Sequence, residues 1–351
     1  MELKPGKIDS ALFDHFIAGN CGAYRDEVLV KPQFGVDVSL VELPGNLSMA
    51  LTSDPLSLVP SLGLEESAWL SVHLMANDMA TTGFAPMYGQ FVLNLPDTLR
   101  AEDFKTYWFH IDRFCKKIGL AVTGGHTGFI PGQNSTIAGG GTLISVASKG
   151  QMLTSNMAKE GDCILVTKSA AMSSAAILAL SFPETVRQKA GTETQREAAA
   201  AFYRTSVLED ALAAAGKAEG LEEVSAMHDV TEGGVLGSIY EMAHASGLGV
   251  RVYRDQLPLQ AVQAEVCRIF ELDPFTCVGA GAMIISCPKA HVESVSARLL
   301  AKGIACAQVG EMMPASSGMQ VVEGEKEYPL LYQEVDPYWA AYFSAIQKGW
   351  K

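Results

Sequence analysis

Long apolar runs are missing from this 351-residue chain. No stretch reaches the roughly 20 consecutive apolar residues that a membrane-spanning helix needs. The opening Met1-Glu2-Leu3-Lys4-Pro5-Gly6 has no apolar signal core. The expected location is therefore cytoplasmic, with no membrane partner. Cysteine is sparse and unpatterned: seven are present, an odd number, and no two have C-x-x-C spacing. That argues against a disulfide framework and against a structural zinc site. Basic residues are in deficit, 26 Lys and Arg against 39 Asp and Glu, for a formal net charge of −13. No run of Lys and Arg overrides that balance, so nucleic acid is not an expected partner. A polyanion such as ATP would need metal cations to bridge it to such a chain. No repeat with a period of about 20 to 50 residues is present, which excludes a solenoid or propeller.

What is present points to two mixed domains. Apolar residues make up 48% of the chain, enough for a large core, and the length suits two domains of roughly 150 to 200 residues. Ile8, Leu12, Phe13 and Phe16 predict a short helix, broken at Gly19-Asn20-Cys21-Gly22. Alternation predicts strands through Val36, Val38 and Leu40 and through Leu47, Met49 and Leu51. Leu64, Ala68, Val72, Met75 and Met79 have helical spacing, and Gly83-Phe84-Ala85-Pro86 stops that helix. A strand at Phe91, Leu93 and Leu95, an amphipathic helix over 101–118, and a strand entering Gly124-Gly125-His126-Thr127-Gly128 follow. A strand near 141–148 closes the first half, and the polar stretch 149–160 marks the boundary between domains 1–150 and 151–351. The second half has a strand at Cys163–Val166, an alanine-rich helix near 195–216, a helix after Gly234, and strands at Val250/Val252, 282–286 and 303–309. Strands and helices mix without strict βαβ alternation, so the expected class is α+β.

Chemistry concentrates at aspartates. Asp37, Asp54, Asp78 and Asp229 each stand beside apolar strand or helix residues, near Gly or Pro. A carboxylate in apolar surroundings must pair, be hydrogen-bonded or hold a metal, and Mg²⁺ takes oxygen ligands and bridges carboxylates to phosphates. Singly, each is also an ordinary turn or cap residue. Asn77-Asp78 interrupts an apolar helix, either as a polar stripe or as a pair facing a ligand. Gly124-Gly125-His126-Thr127-Gly128 is neither a Walker nor a Rossmann loop. It reads as a tight turn or an anion-facing loop, with His126 a polar core residue, a phosphate donor or an acid–base group. His228-Asp229-Val230-Thr231-Glu232-Gly233-Gly234 opens a helix. Its N–H groups suit a phosphate, and Asp229 or Thr231 equally suits an N-cap.

Taken in order, Gly35-Val36-Asp37, Thr52-Ser53-Asp54, Asn77-Asp78-Met79-Ala80-Thr81-Thr82-Gly83-Phe84-Ala85-Pro86, Gly124-Gly125-His126-Thr127 and His228–Gly234 resemble the aminoimidazole ribonucleotide synthetase (PurM)-like superfamily. The pattern is most like the hydrogenase-maturation HypE-like members. The resemblance implies a two-domain α+β fold whose N-terminal sheet pairs into a barrel across a homodimer, with a C-terminal α+β domain packed on it. It implies ATP and Mg²⁺ as cofactors. By position, Asp37, Asp54, Asp78 and Asp229 match the metal and phosphate carboxylates, with Asn77 beside them. Gly124, Gly125 and Thr127 match the phosphate-side loop, and Thr231, Gly233 and Gly234 the N–H donors of the second-domain helix. Lys7 matches an N-terminal nucleotide-contacting segment, and Asp78, His126 and Asp229 are the implied catalytic groups. Three departures stand out. No cysteine follows Cys306, where HypE-type enzymes end in one; His126 replaces an aspartate; and Glu232 replaces an arginine. The expected activity is ATP- and Mg²⁺-dependent phosphorylation of an amide or carboxylate-type oxygen. The alternatives are a catalytically silent nucleotide-binding scaffold and aminoimidazole ribonucleotide synthesis.

Overall fold

The computed structural model describes residues 6–8 and 10–351. Six strands build the first sheet: β1 (Val28–Val30), β2 (Ser39–Leu43), β3 (Leu47–Ser57), β4 (Tyr88–Pro96), β5 (Ala121–Ile130) and β6 (Ile137–Ser148). Their order is β1-β2-β3-β6-β4-β5. All neighbours run antiparallel except β4 and β5, which are parallel. The helices Leu64–Ala80 and Ala101–Lys117 cover one face, burying Met75, Met79, Tyr107 and Ile111 against Phe91, Leu93 and Leu143.

Period-2 alternation decides what each face of β3 carries. Ala50, Thr52, Asp54 and Leu56 turn toward the helices. Leu47, Met49, Leu51 and Ser53 turn to the opposite face, which is half-buried or exposed. The strand pattern expected through Leu47, Met49 and Leu51 is present, and it marks the open face. Val36 and Val38 lie before β2 rather than in it. The segment 124–128, expected as a loop, is the middle of β5, drawn into the sheet edge by parallel pairing with β4.

The second sheet has seven strands: β7 (Asp162–Thr167), β8 (Ala226–Asp229), β9 (Gly249–Tyr253), β10 (Met283–Pro288), β11 (Cys306–Met313), β12 (Met319–Glu323) and β13 (Lys326–Pro329). They are ordered β13-β12-β9-β11-β7-β10-β8. Strand β7 lies between β11 and β10 and is buried throughout, which accounts for its continuous apolar run. Ile164 and Val166 pack with Val235, Ile239 and Met242 of the Gly234–Ala245 helix. Leu165 faces the other way, onto Leu208 and Ala211 of the Leu208–Ala215 helix and Val295 and Leu299 of the Val292–Ala301 helix. The helix expected over 195–216 is therefore two, Thr192–Ala200 and Leu208–Ala215, interrupted at 205–207.

The architecture is mixed α+β with two sheets, one on each side of residues 149–161, and neither sheet closes on itself. No helix among the described residues is long and apolar enough to cross a membrane.

Candidate functional site

Four aspartates from the two halves of the chain are buried near one another. Asp54 comes from β3, on its helix-covered face, and Asp78 from the end of the Leu64–Ala80 helix, where Thr52 Oγ1 donates to Asp78 Oδ2 at 3.0 Å. Asp37 comes from the loop before β2, accepting from Ser155 Oγ at 2.9 Å. Asp229 ends β8. Gly35 makes the Asp37 loop fit: its φ is 75°, and a Cβ there would meet the Glu241 backbone oxygen at 2.7 Å.

The electrostatics show how crowded these carboxyls are. Burial, joined by the charges of Asp229, Asp54 and Asp37, holds Asp78 well above the usual carboxylate range. Burial and Asp37 push Asp229 up to about 8, against the pull of His228 and Lys7. Burial raises Asp54 to about 6 and raises Asp37 as well. Neither carboxylate oxygen of Asp229 has a hydrogen-bond partner among the described residues, although both are buried.

The cations are Lys7 and His228. Lys7 Nζ lies 2.9 Å from both oxygens of Glu241, and its backbone N–H donates to Glu232 Oε2 at 2.8 Å. Burial works to lower the Lys7 ammonium, but Glu241, Asp37 and Asp229 outweigh it and the pKa is raised. His228 Nδ1 is 2.7 Å from the Asp229 carbonyl oxygen and 3.5 Å from Asp37 Oδ2, and its Nε2 is 3.2 Å from Glu241 Oε2. A carbonyl oxygen only accepts, so Nδ1 carries a proton. Burial opposes charging of the ring, yet the flanking carboxylates raise it to about 9. Glu241 is held down to about 2: burial opposes this, and Lys7 and His228 overcome it. Tyr332 OH donates to Glu241 at 3.0 Å.

Donor atoms of Asp37, His228 and Asp229 lie within 4.8 Å of one another, and among the described residues neither Asp54 nor Asp78 joins that group at that distance. His228 Nδ1 meets the Asp229 carbonyl and Nε2 lies 3.2 Å from Glu241 Oε2, so both ring nitrogens are directed at oxygens of the chain. The carboxyls of Asp37, Asp54, Asp78 and Asp229 are the hard oxygen donors on offer. Six carboxyl groups (these four with Glu232 and Glu241) share two cations. Orphaned hard oxygens with excess negative charge fit Mg²⁺.

Other expected site residues lie elsewhere. Asn77 is fully buried, and its amide spans Thr205 and Val207 of the second domain, so it does not face the aspartates. Gly124, Gly125, His126 and Thr127 lie in β5 at the sheet edge. The row Asp54–Gly141–Phe91–Gly125 puts three strand spacings, roughly 14 Å, between Asp54 and Gly125. His126 aligns with Val92 on the opposite, open face. Gly125 serves the sheet: its φ is 144°, and a Cβ would meet the Phe91 carbonyl oxygen at 1.8 Å. At the second-domain helix, Gly233 N–H donates to Asp336 Oδ2 at 2.7 Å and Gly234 N–H to the Thr231 carbonyl at 3.2 Å. The expected anion site there is filled by a carboxylate of the chain itself. Lys7 Nζ points at Glu241 rather than at open solvent.

Glu241, His228 as a cation, Tyr332 and Asp336 were not anticipated. Glu241 had a sequence signal, a single carboxylate inside the apolar helix Gly234–Ala245 on the small-residue side with Gly234, Gly237 and Ser238.

Comparisons with known proteins bear on the family and the fold. A family model described as AIR synthase related protein, N-terminal domain, matches residues 35–147, and its C-terminal-domain counterpart matches residues 159–322. A Methanocaldococcus jannaschii protein, by name a hydrogenase expression/formation protein, is 27% identical over 224 residues. That match covers 64% of this chain and only 63% of that protein's length. The carbamoyl dehydratase HypE of Azotobacter vinelandii is 25% identical over 251 residues, 71% of this chain and 70% of its own. A crystal structure of the hydrogenase maturation protein HypE in complex with ATP superposes with a TM-score of 0.66 at 19% identity, covering 86% of this chain and 89% of that one. This last likeness establishes the two-domain α+β fold.

Proposed function

From the premise that this chain belongs to the AIR synthase related family, we propose that it binds ATP with Mg²⁺ between its two domains and phosphorylates an amide or carboxylate-type oxygen. One observation carries the reading: Asp37, Asp54, Asp78 and Asp229, from four separate elements, are buried close enough to raise one another, with Lys7 and His228 only partly offsetting their charge. Relatives named carbamoyl dehydratase and a relative solved with ATP support the substrate class.

In this reading Asp37, Asp54, Asp78 and Asp229 hold Mg²⁺, which when bound neutralises phosphate charge and orients the transferred group. His228 fixes Asp37 and Glu241 as a buried cation. Lys7, tied to Glu241, keeps a positive charge beside the cluster. Phosphoryl transfer needs positioning and charge neutralisation more than a covalent step. The protein works as a cytoplasmic homodimer joined through the open face of the first sheet. Across that junction the β5 edge with Gly124, His126 and Thr127 reaches the partner's nucleotide.

Isothermal titration with ATP tests the core of the reading. Binding is expected with Mg²⁺ and not with EDTA, and no binding of ATP or ADP at millimolar concentration would end it. Asp78→Asn should weaken MgATP binding about tenfold or more, roughly 1.4 kcal/mol, while the far-UV spectrum stays unchanged. The engagement of the Gly233 N–H by Asp336 favours a second reading, a nucleotide-binding scaffold without turnover. Tight MgATP binding with no phosphate release across amide and carboxylate acceptors would select it.

A further inference from the structure

The interruption at 205–207 is held open by side chains from both domains. The stretch Arg204–Val207 lies between the short turn Ala201–Arg204 and the Leu208–Ala215 helix, and no strand pairs with it. Its backbone groups must find partners elsewhere. From the first domain, Asn77 Nδ2 donates to the Thr205 carbonyl at 3.0 Å, and Asn77 Oδ1 accepts from Val207 N–H at 2.8 Å. From the second domain, Lys168 Nζ donates to the Arg204 and Ser206 carbonyls at 3.2 and 2.8 Å. Successive carbonyls thus go alternately to Lys168, Asn77 and Lys168. Trp69 Nε1 adds a bond to Thr205 Oγ1 at 3.0 Å.

Each holder is itself fixed. Asn77 is fully buried, and an amide is the side chain that offers a donor and an acceptor side by side to a peptide group. Lys168 sits 3.0 Å from the buried Asp210 carboxylate, which also accepts from Thr167 Oγ1 at 2.7 Å. Lys168 adopts a left-handed backbone with φ of 56°. A non-glycine residue keeps that conformation only where its surroundings over-determine it.

The consequence falls on the acidic cluster. Asp78 follows Asn77 directly, and Ala80 one half-turn on shares a buried cluster with Val207 and with Met227 of β8, the strand that ends in Asp229. The segment gripped by Asn77 therefore sets the distance between the helix carrying Asp78 and the strand carrying Asp229. We propose that Asn77 and Lys168 are positioning residues that clamp Arg204–Val207 between the domains and so hold the helix carrying Asp78 in register with the strand carrying Asp229 at the acidic, metal-binding cluster. This rests on the metal reading above, and it removes Asn77 from the nucleotide-contacting set.

Mn²⁺ binding to the full chain, followed by the EPR signal of the free ion, tests it. Asn77→Ala and Lys168→Met should each raise the Mn²⁺ Kd about tenfold, within the range that outer partners of metal ligands contribute. The double variant should rise by less than the product of the two, because both act on one segment. Trp69→Phe, which removes only the N–H, should give a smaller rise of about threefold by the same reasoning, and it keeps the test decisive if Asn77→Ala does not fold. Val186→Ala, in a separate buried cluster of the second domain, is the control for general loosening: it should lower Tm and leave the Kd alone. An unchanged Kd in folded Asn77→Ala or Trp69→Phe overturns the positioning role while the metal reading stands. An equal rise in Val186→Ala overturns it too. A wild-type chain that binds no Mn²⁺ overturns the metal reading and this inference together.

Discussion

The acidic cluster makes the metal-free protein sensitive to pH in a definite direction. Asp54 and Asp229 titrate at about 6 and about 8 in the folded chain, both above the unfolded carboxylate value. The folded state therefore holds protons that unfolding releases, and these groups cost stability as pH rises through that window. His228, raised to about 9, has the same sign: its contribution is complete below its unfolded value and is lost as pH climbs through the folded one. Glu241, held at about 2, stays ionised throughout and does not oppose the trend. Scanning calorimetry in EDTA should show Tm falling by several degrees between pH 6 and pH 9. Saturating Mg²⁺ should recover most of the loss at pH 9, since it binds the ionised carboxylates of the folded state only. A Tm that is flat or rising with pH would contradict the cluster as described.

At the scale of elements, β5 shows how a glycine run can serve a sheet. Gly125 is locked against the Phe91 carbonyl of β4, whereas Gly124 has only the tip of Gln90 near it, at 3.9 Å. Gly125→Ala should therefore destabilise the first domain by about 2 kcal/mol or more, through forced displacement of β4. Gly124→Ala should stay within about 0.5 kcal/mol. Equal urea midpoints for the two variants would remove the packing explanation. Gly35 follows the same logic: without a Cβ it lets its loop approach the Glu241 backbone of the Gly234–Ala245 helix closely.

For the whole molecule, the open face of the first sheet is the feature that asks for a partner. Met49, Leu51, Ile144 and Val146 are half-buried and Tyr88 and Val92 exposed. Met49 and Val146 form one row and Leu51, Ile144 and Tyr88 the next across β3, β6 and β4; Val92 lies two rows further on, beyond the polar row Ser53–Thr142–Gln90, and none of the six belongs to a buried core cluster. Contiguous apolar surface on this scale marks an association site. Light scattering should give twice the chain mass for the wild type and the single-chain mass for Val92→Lys, at unchanged secondary structure. A monomeric wild type would refute the homodimer and, with it, the role assigned to His126 across the junction.

Much of this protein was determined by its sequence alone. Alternation in β3 and the uninterrupted apolar run of β7 follow from local chemistry, as does the helix at 64–80, because hydrophobic period and stop signals are properties of neighbouring residues. The four aspartates were legible as a set because an acidic group among apolar neighbours has few stable fates. Tertiary structure decided the rest. Glu241, Tyr332 and Asp336 join the site through contacts that bring distant stretches of chain together, and nothing in their immediate neighbours announces those partners. Asn77 looked like a ligand-facing residue until the fold brought Thr205 and Val207 against it. The Gly124–Thr127 segment looked like a loop until parallel pairing with β4 made it a strand. In each case local preference amounts to little against a buried hydrogen bond or a sheet edge, and those exist only once the chain has closed on itself.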